Sequence, residues 1–402
     1  MSRPRLEVAE VLHRYGEQFL NRWGHTVSPQ QRKALQEISV CRTAALGGHV
    51  EECDRCGHRR IAYNSCRNRS CPKCQSTARD RWLAQQAQQL LPVPYCHVVF
   101  TVPKALAHLG LQNQRHFYAL LFRAVAETLL TIAADPRRLG ARLGFLAVLH
   151  AWSQNLLFHP HLHCLVPAGG LALDGSRWIP CRPKYFLPVE VLSCMFQKKL
   201  LAFLKAAFAQ GGLLQFSGQL TALADPATFH AWLHQLGEQK WVAYAKPPFG
   251  GPEHVLKYLA RYTHRVAISN GRLLSLADDR VSFQWRDSRD GKQLKVMALE
   301  AVEFIRRFLL HVLPPGFVKI RHFGFLANRS RSQALALCRQ HLQAALSDHP
   351  TPEVLTEQQR QAMERRCPVC QCGTLRFLAW LSVAELILAS DASPRVQRID
   401  SS

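Results

Sequence analysis

The chain has 402 residues, enough for two or three domains, and its 48% hydrophobic content belongs to core-forming protein rather than to disorder. A formal net charge of +23 and a pI of about 9.9 exceed anything folding requires and point to a polyanionic partner. A lipid surface is the rival polyanion, but no uninterrupted apolar run reaches about eighteen residues and residues 1–7 hold no signal-peptide core. The sequence therefore reads as a soluble cytoplasmic protein with no membrane partner, and its 14 cysteines as metal ligands and buried thiols more than disulfides.

Apolar residues at helical spacing predict a first helix over residues 6–23. Ser28-Pro29 is an N-cap and first-turn pair for a second helix reaching about residue 40. The next stretch holds Cys53-x-x-Cys56 and Cys71-x-x-Cys74, fourteen residues apart. Each pair can form a knuckle, and four thiolates close a tetrahedral structural zinc site. Cys66, His49 and His58 are spare ligands that could replace a cysteine or build a second site. Arg67, Arg69 and Lys73, with Arg55, Arg59 and Arg60, suit contact with phosphates; the alternative is a solvated basic face.

A helix over 76–91 and a buried strand over 95–102 follow, then a long amphipathic helix over 111–134 ended by Asp135-Pro136. Strands over 143–152 and 159–166 come next, with turns at Gly169-Gly170 and Asp174-Gly175. This order predicts an α+β fold: a central antiparallel sheet flanked by helices, with a small N-terminal zinc-binding module. The strand His159-Pro160-His161-Leu162-His163 lies in that sheet. Alternation sends His161 and His163 to one face and Leu162 into the core. Two imidazoles side by side are ready ligands for a divalent metal, although a strand of this kind can also simply pack. Helices over 188–209 and 226–239 and a strand over 241–245 complete the region.

The second chemical element runs from Gly250 to Arg265. Tyr258 and Tyr262 are one helical turn apart, and Lys257, Arg261 and Arg265 form a cationic face at the same spacing. A phenol beside cations is what covalent attack on a phosphodiester requires. Val255, Tyr258, Leu259 and Tyr262 equally make an apolar stripe, so both tyrosines also fit a core. Short strands are expected over 266–270, 272–276, 280–286 and 293–298, with turns at Asn270-Gly271 and Asp290-Gly291, and then a helix over 299–312. Residues 319–325 interleave Lys319 and Arg321 with aromatics, a pattern suited to phosphate contact and base stacking. A last helix covers 331–346. Cys367-Pro368-Val369-Cys370-Gln371-Cys372 is half a zinc knuckle with an extra thiol and no second half nearby, which leaves a second zinc and unpaired thiols both open. Residues 391–402 form a polar tail. The expected domains are 1–92 (helical, zinc-binding, DNA-contacting), 93–330 (catalytic) and 331–402 (a helix and a cysteine-containing tail).

Together these motifs resemble the HUH-type nucleases, specifically the two-tyrosine rolling-circle transposases of bacterial insertion sequences. The resemblance spans most of the chain: the Cys53–Cys74 module, His161-Leu162-His163, the stretch from Tyr258 to Asn270, and the stretch from Lys319 to Asn328. One departure is Ser70, where the family pattern has histidine. The resemblance implies that His161 and His163 hold Mg²⁺ or Mn²⁺, with His159, Gln154 or Glu253 as third ligand. It implies that Tyr258 and Tyr262 attack single-stranded DNA at the element's ends and target site, giving a 5′-phosphotyrosine. No GxxxxGK[ST] loop is present, so unwinding falls to a host helicase or replication machinery, or to negative supercoiling. The rival readings are a rolling-circle replication initiator or relaxase, a non-catalytic zinc-finger DNA-binding protein, and a metallohydrolase that uses water.

Overall fold

The computed structural model describes residues 6–74, 82–83, 85–248, 254–255, 266–287, 290–291, 293–343 and 366–386. Tyr258 and Tyr262, with Lys257, Arg261 and Arg265, lie outside these residues, as do much of the expected 76–91 helix and the tail after 386.

The first amphipathic segment is the helix Val8–Trp23, which turns Val8, Val11, Leu12, Tyr15 and Phe19 inward. Ser28 caps Pro29–Ser39 reciprocally: its hydroxyl accepts from the Gln31 N–H and the Gln31 side chain accepts from the Ser28 N–H. Strands β1 (Gly48–Cys53) and β2 (Arg59–Tyr63) form a hairpin, and β3 (Tyr95–Thr101) begins the central sheet. The long helix expected over 111–134 is Gln114–Ala134, and a further helix not anticipated from the sequence, Lys104–Gln112, precedes it. Asn113 separates them because its side chain serves loop backbone: Oδ1 accepts from Gln215 N, and Nδ2 donates to the Leu109 and Gln215 carbonyls. Gln114–Ala134 is long and apolar enough to span a membrane by length and composition; here it packs in the core.

The remaining strands are β4 (Ala141–Arg142), β5 (Gly144–Trp152), β6 (Phe158–Pro167), β7 (Gly169–Ala172), β8 (Trp178–Pro180), β9 (Ala243–Ala245), β10 (Leu273–Ala277), β11 (Arg280–Asp287), β12 (Gln293–Glu300), β13 (Ile320–Gly324) and β14 (Leu375–Leu381). Four of them join β3 in the antiparallel central sheet, in the order β13-β5-β6-β3-β9. Register divides its faces. Phe100, Leu162 and Leu149 lie abreast and point into the main core with the helices Gln114–Ala134 and Val189–Ala209. Thr101, His161 and His150 lie abreast on the other face, as do Val99, His163 and Val148 one pair along. The rest of that face, including Leu146, Val148 and Leu165, is covered by Leu335, Cys338 and Leu342 of the helix Arg331–Gln343.

Residues 266–269 do not form the expected strand, and Asn270–Arg272 is a 3₁₀ turn. The Asn270 side chain accepts from Val8 N, so this turn serves the start of the first helix instead of a hairpin. The hairpin β10–β11 turns at Asp278 and Asp279, both with positive φ, and Asp279 accepts from the Tyr15 hydroxyl at 2.8 Å. The C-terminal segment is divided between the two expected upstream units. Its helix lies on the central sheet, while β14 pairs with β1 in a three-stranded sheet β14-β1-β2.

Candidate active site and cysteine clusters

The β5–β6 hairpin builds the histidine site. Antiparallel pairing sets His150 directly across from His161, with His163 two residues further along the same face. Candidate ligand nitrogens of His150, His161 and His163 lie within 4.8 Å of one another. The three ring centroids are 4.5 to 5.5 Å apart. His150 is buried and stacks on Trp152 at 4.8 Å.

One hydrogen bond fixes a tautomer a metal would need, and a second permits it in the neighbouring ring. His161 Nδ1 lies 2.7 Å from the His159 carbonyl, so it donates there. His163 Nδ1 lies 2.9 Å from Nε2 of His97, on β3. Burial, then Lys246 and His161, pushes His97 down to about 4, so it is neutral and can accept that proton. The His161 lone pair is then on Nε2, the arrangement that an acceptor behind the ring gives a metal-binding histidine, and a proton donated from His163 Nδ1 to His97 gives His163 the same arrangement. His159, one of three residues considered as third ligand, accepts from His161 through its carbonyl, and the third imidazole grouped with His161 and His163 is that of His150. Sequence reasoning missed His150 and His97. The first was readable from the hairpin register, since residues 150 and 161 pair across the loop; the second was not, because it depends on which strand lies beside β6.

Both ends of the tyrosine segment come to this face. Val255 is fully buried in the cluster that contains Val148 and Leu165, the neighbours of His163. On the far side, Val266 and Ala267 join Trp152, His311, Arg69 and Lys319 around a cavity of about 30 Å³. Burial and the nearby Arg69 lower the Lys319 ammonium to about 8, leaving it cationic at neutral pH. Arg321 lies over the rings of Phe122 and Phe317, at 4.3 and 5.0 Å.

The cysteines sort differently from their order in the chain. Cys71 and Cys74 join Cys41 and Cys66, while Cys53 and Cys56 join Cys367 and Cys370. The four cysteines expected on one ion are thus split between two clusters, with Cys66 a full member of the first. In the Cys41 cluster, Sγ–Sγ separations are 3.6 Å for Cys41–Cys74, Cys66–Cys74 and Cys41–Cys71. A tetrahedron with Zn–S bonds of about 2.3 Å has edges of about 3.8 Å, so the donor set fits zinc. Ser70 takes no part; its N–H donates to the Asn68 side chain. Cys41 was not anticipated. Its signal was arithmetic: residues 41–74 hold six cysteines, and the tail adds the CxxC needed to make two sets of four.

Two expected DNA contacts are committed elsewhere. Arg69 donates to the carbonyls of Leu313, Pro314 and Phe317, and Lys73 forms a buried 2.6 Å ion pair with Glu7. Arg67 is exposed at a positive-φ position.

A family model described as "Putative transposase" matches residues 144–334, and one described as "Transposase zinc-binding domain" matches residues 11–102. The chain is 53% identical over 382 residues to "Putative transposase y4qJ" of Sinorhizobium fredii (strain NBRC 101917 / NGR234), covering 93% of this chain and 95% of that one. It is 29% identical over 370 residues to "Transposase for insertion sequence element IS801" of Pseudomonas savastanoi pv. phaseolicola, covering 87% and 85%. No solved structure matches the chain.

Proposed function

The chain belongs to the insertion-sequence transposases, and on that footing we propose that it nicks and rejoins single-stranded DNA through a 5′-phosphotyrosine intermediate during rolling-circle transposition. The observation that carries this reading is the three-imidazole cluster, on a sheet face to which both ends of the tyrosine segment return. A phenol oxygen of Tyr258 or Tyr262 attacks the phosphorus. The bond from phosphorus to the 3′ oxygen breaks, and that oxygen leaves as a 3′-hydroxyl after taking up a proton. The tyrosine ester conserves the phosphodiester energy, so a 3′-hydroxyl can reverse the step without ATP. The second tyrosine can cut another strand while the first is occupied.

His150, His161 and His163 would hold Mg²⁺ or Mn²⁺, which when bound polarises the phosphoryl oxygens and orients the strand for in-line attack. The His159 carbonyl keeps His161 in the binding tautomer, and His97 can accept the proton that puts His163 in the same one. An ordinary tyrosine pKa near about 10 means that a cation must favour the phenolate. Lys257, Arg261, Arg265, Arg67, Lys319 and Arg321 supply positive charge for the DNA backbone. The reaction takes place in the cytoplasm, with host proteins separating the strands.

The test is covalent trapping. Full-length protein, Mn²⁺ and single-stranded DNA from the element's terminus should give a slowly migrating protein–DNA band under denaturing conditions. The band should disappear in the Tyr258→Phe/Tyr262→Phe double variant and in His161→Ala, while the single tyrosine variants assign the order of attack. Folded wild type that binds this DNA but leaves neither nick nor adduct, on either strand and with any divalent metal, would transfer the chain to the zinc-finger binders.

A further inference from the structure

We infer that Cys53, Cys56, Cys367 and Cys370 form a second tetrathiolate zinc site, one that fastens the C-terminal segment to the N-terminal zinc-binding module. The site lies outside the reach of the zinc-binding family match, which ends at residue 102, because half of its ligands come from beyond residue 366. Cross-knuckle sulfurs stand 3.6 Å apart in the pairs Cys53–Cys370 and Cys56–Cys367, close to the tetrahedral edge derived above.

The two contributing turns are built alike. In each, the backbone N–H four residues after the first cysteine returns to that cysteine's carbonyl: Gly57 to Cys53, and Gln371 to Cys367. Those two residues share a left-handed conformation, φ 66° and 56°. Each turn also aims a backbone N–H at a sulfur, Arg55 N to Cys53 Sγ at 3.4 Å and Gly373 N to Cys370 Sγ at 3.3 Å. Such N–H donors stabilise thiolates. Gly373 is the residue that lets the turns meet, since a Cβ there would collide with Cys53 Sγ and with the Arg55 side chain.

The surrounding contacts extend the clasp. Asp54 accepts from Thr374 N at 2.8 Å and pairs with Arg376 at 3.1 Å, and β1 pairs with β14 from Gly48↔Leu381 to Cys53↔Leu375. Ligands 311 residues apart in sequence, Cys56 and Cys367, close most of the 402-residue chain into one loop. The zinc-binding module is therefore discontinuous: its third strand and half of its second ligand set arrive only when the C-terminus has been made.

Metal counting on the full-length protein tests this, independently of DNA cleavage. Zinc is measured by mass spectrometry in wild type, Cys56→Ser, Cys367→Ser, the double variant and Cys372→Ser. Cys56→Ser and Cys367→Ser should each lose one equivalent, the double variant the same single equivalent, and Cys372→Ser none. Undiminished zinc in Cys367→Ser, or two equivalents lost in the double variant, would overturn the shared site. If the serine variants do not fold, cobalt decides on wild type. Two tetrahedral thiolate-bound Co²⁺ per chain, read from thiolate charge-transfer absorbance, support the second site, and one removes it.

Discussion

His150 faces His161 across the β5–β6 pair, whereas His159 contributes a carbonyl, so the two histidines should respond differently to substitution. His150→Ala is expected to abolish adduct formation as fully as His161→Ala, and His159→Ala to retain it; the trapping assay reads both. His97→Leu removes the acceptor for His163 Nδ1 without removing a ligand, and about 10–100-fold loss of metal affinity or activity is the usual scale of such a change. Three neutral imidazoles are a softer donor set than carboxylates, so activity should be higher with Mn²⁺ than with Mg²⁺ at equal concentration. His311 adds a pH effect. It is 6% exposed, donates through Nε2 to the Leu156 carbonyl, and is pushed down to about 4 by burial. The unfolded chain takes up this proton near about 6.5 and the folded chain does not until about 4, so stability is full above 6.5 and falls as the pH drops toward 4. The slope approaches about 1.4 kcal/mol per pH unit for each such histidine. Urea midpoints across that range should show the decline, and His311→Gln, which can keep the donor but cannot titrate, should flatten it.

The strand β6 serves the core with one face and the site with the other, which separates folding from chemistry. Leu162 is fully buried between Phe100 and Leu149, and Leu162→Ala should cost about 2–5 kcal/mol of stability. Adduct yield per folded molecule at low temperature should stay near wild type; a collapse there would mean that Leu162 also sets the histidine geometry. The same alternation explains what was legible beforehand. His161, Leu162 and His163 could be assigned to their faces from period two alone, and the Ser28 cap from local chemistry. The turn at Asn270 could not, because its side chain answers to backbone far away, at Val8. The cysteine grouping failed for a related reason. Spacing suggests which pairs form knuckles, but which knuckles meet depends on β14 reaching β1.

At the scale of the whole molecule, a charge of +23 overstates the cations available to DNA. Lys73 is buried against Glu7, Arg60 against Glu51, and Arg69 is spent on three carbonyls that hold the chain leading into β13. Arg67, exposed beside the first cysteine cluster, carries no such commitment among the described contacts. Salt dependence distinguishes these roles. Each phosphate neutralised on single-stranded DNA contributes about 0.7 to the slope of log affinity against log salt. Arg67→Asn, which tolerates the positive φ, should reduce that slope by about 0.7 and leave the melting temperature nearly unchanged. Arg69→Met should do the reverse, leaving the slope intact and destabilising the protein by about 1–3 kcal/mol through carbonyls left without a donor. A slope that falls equally in both variants would mean that Arg69 leaves its carbonyls to meet the DNA. The segment that carries Lys319 and Arg321 would then rearrange on binding.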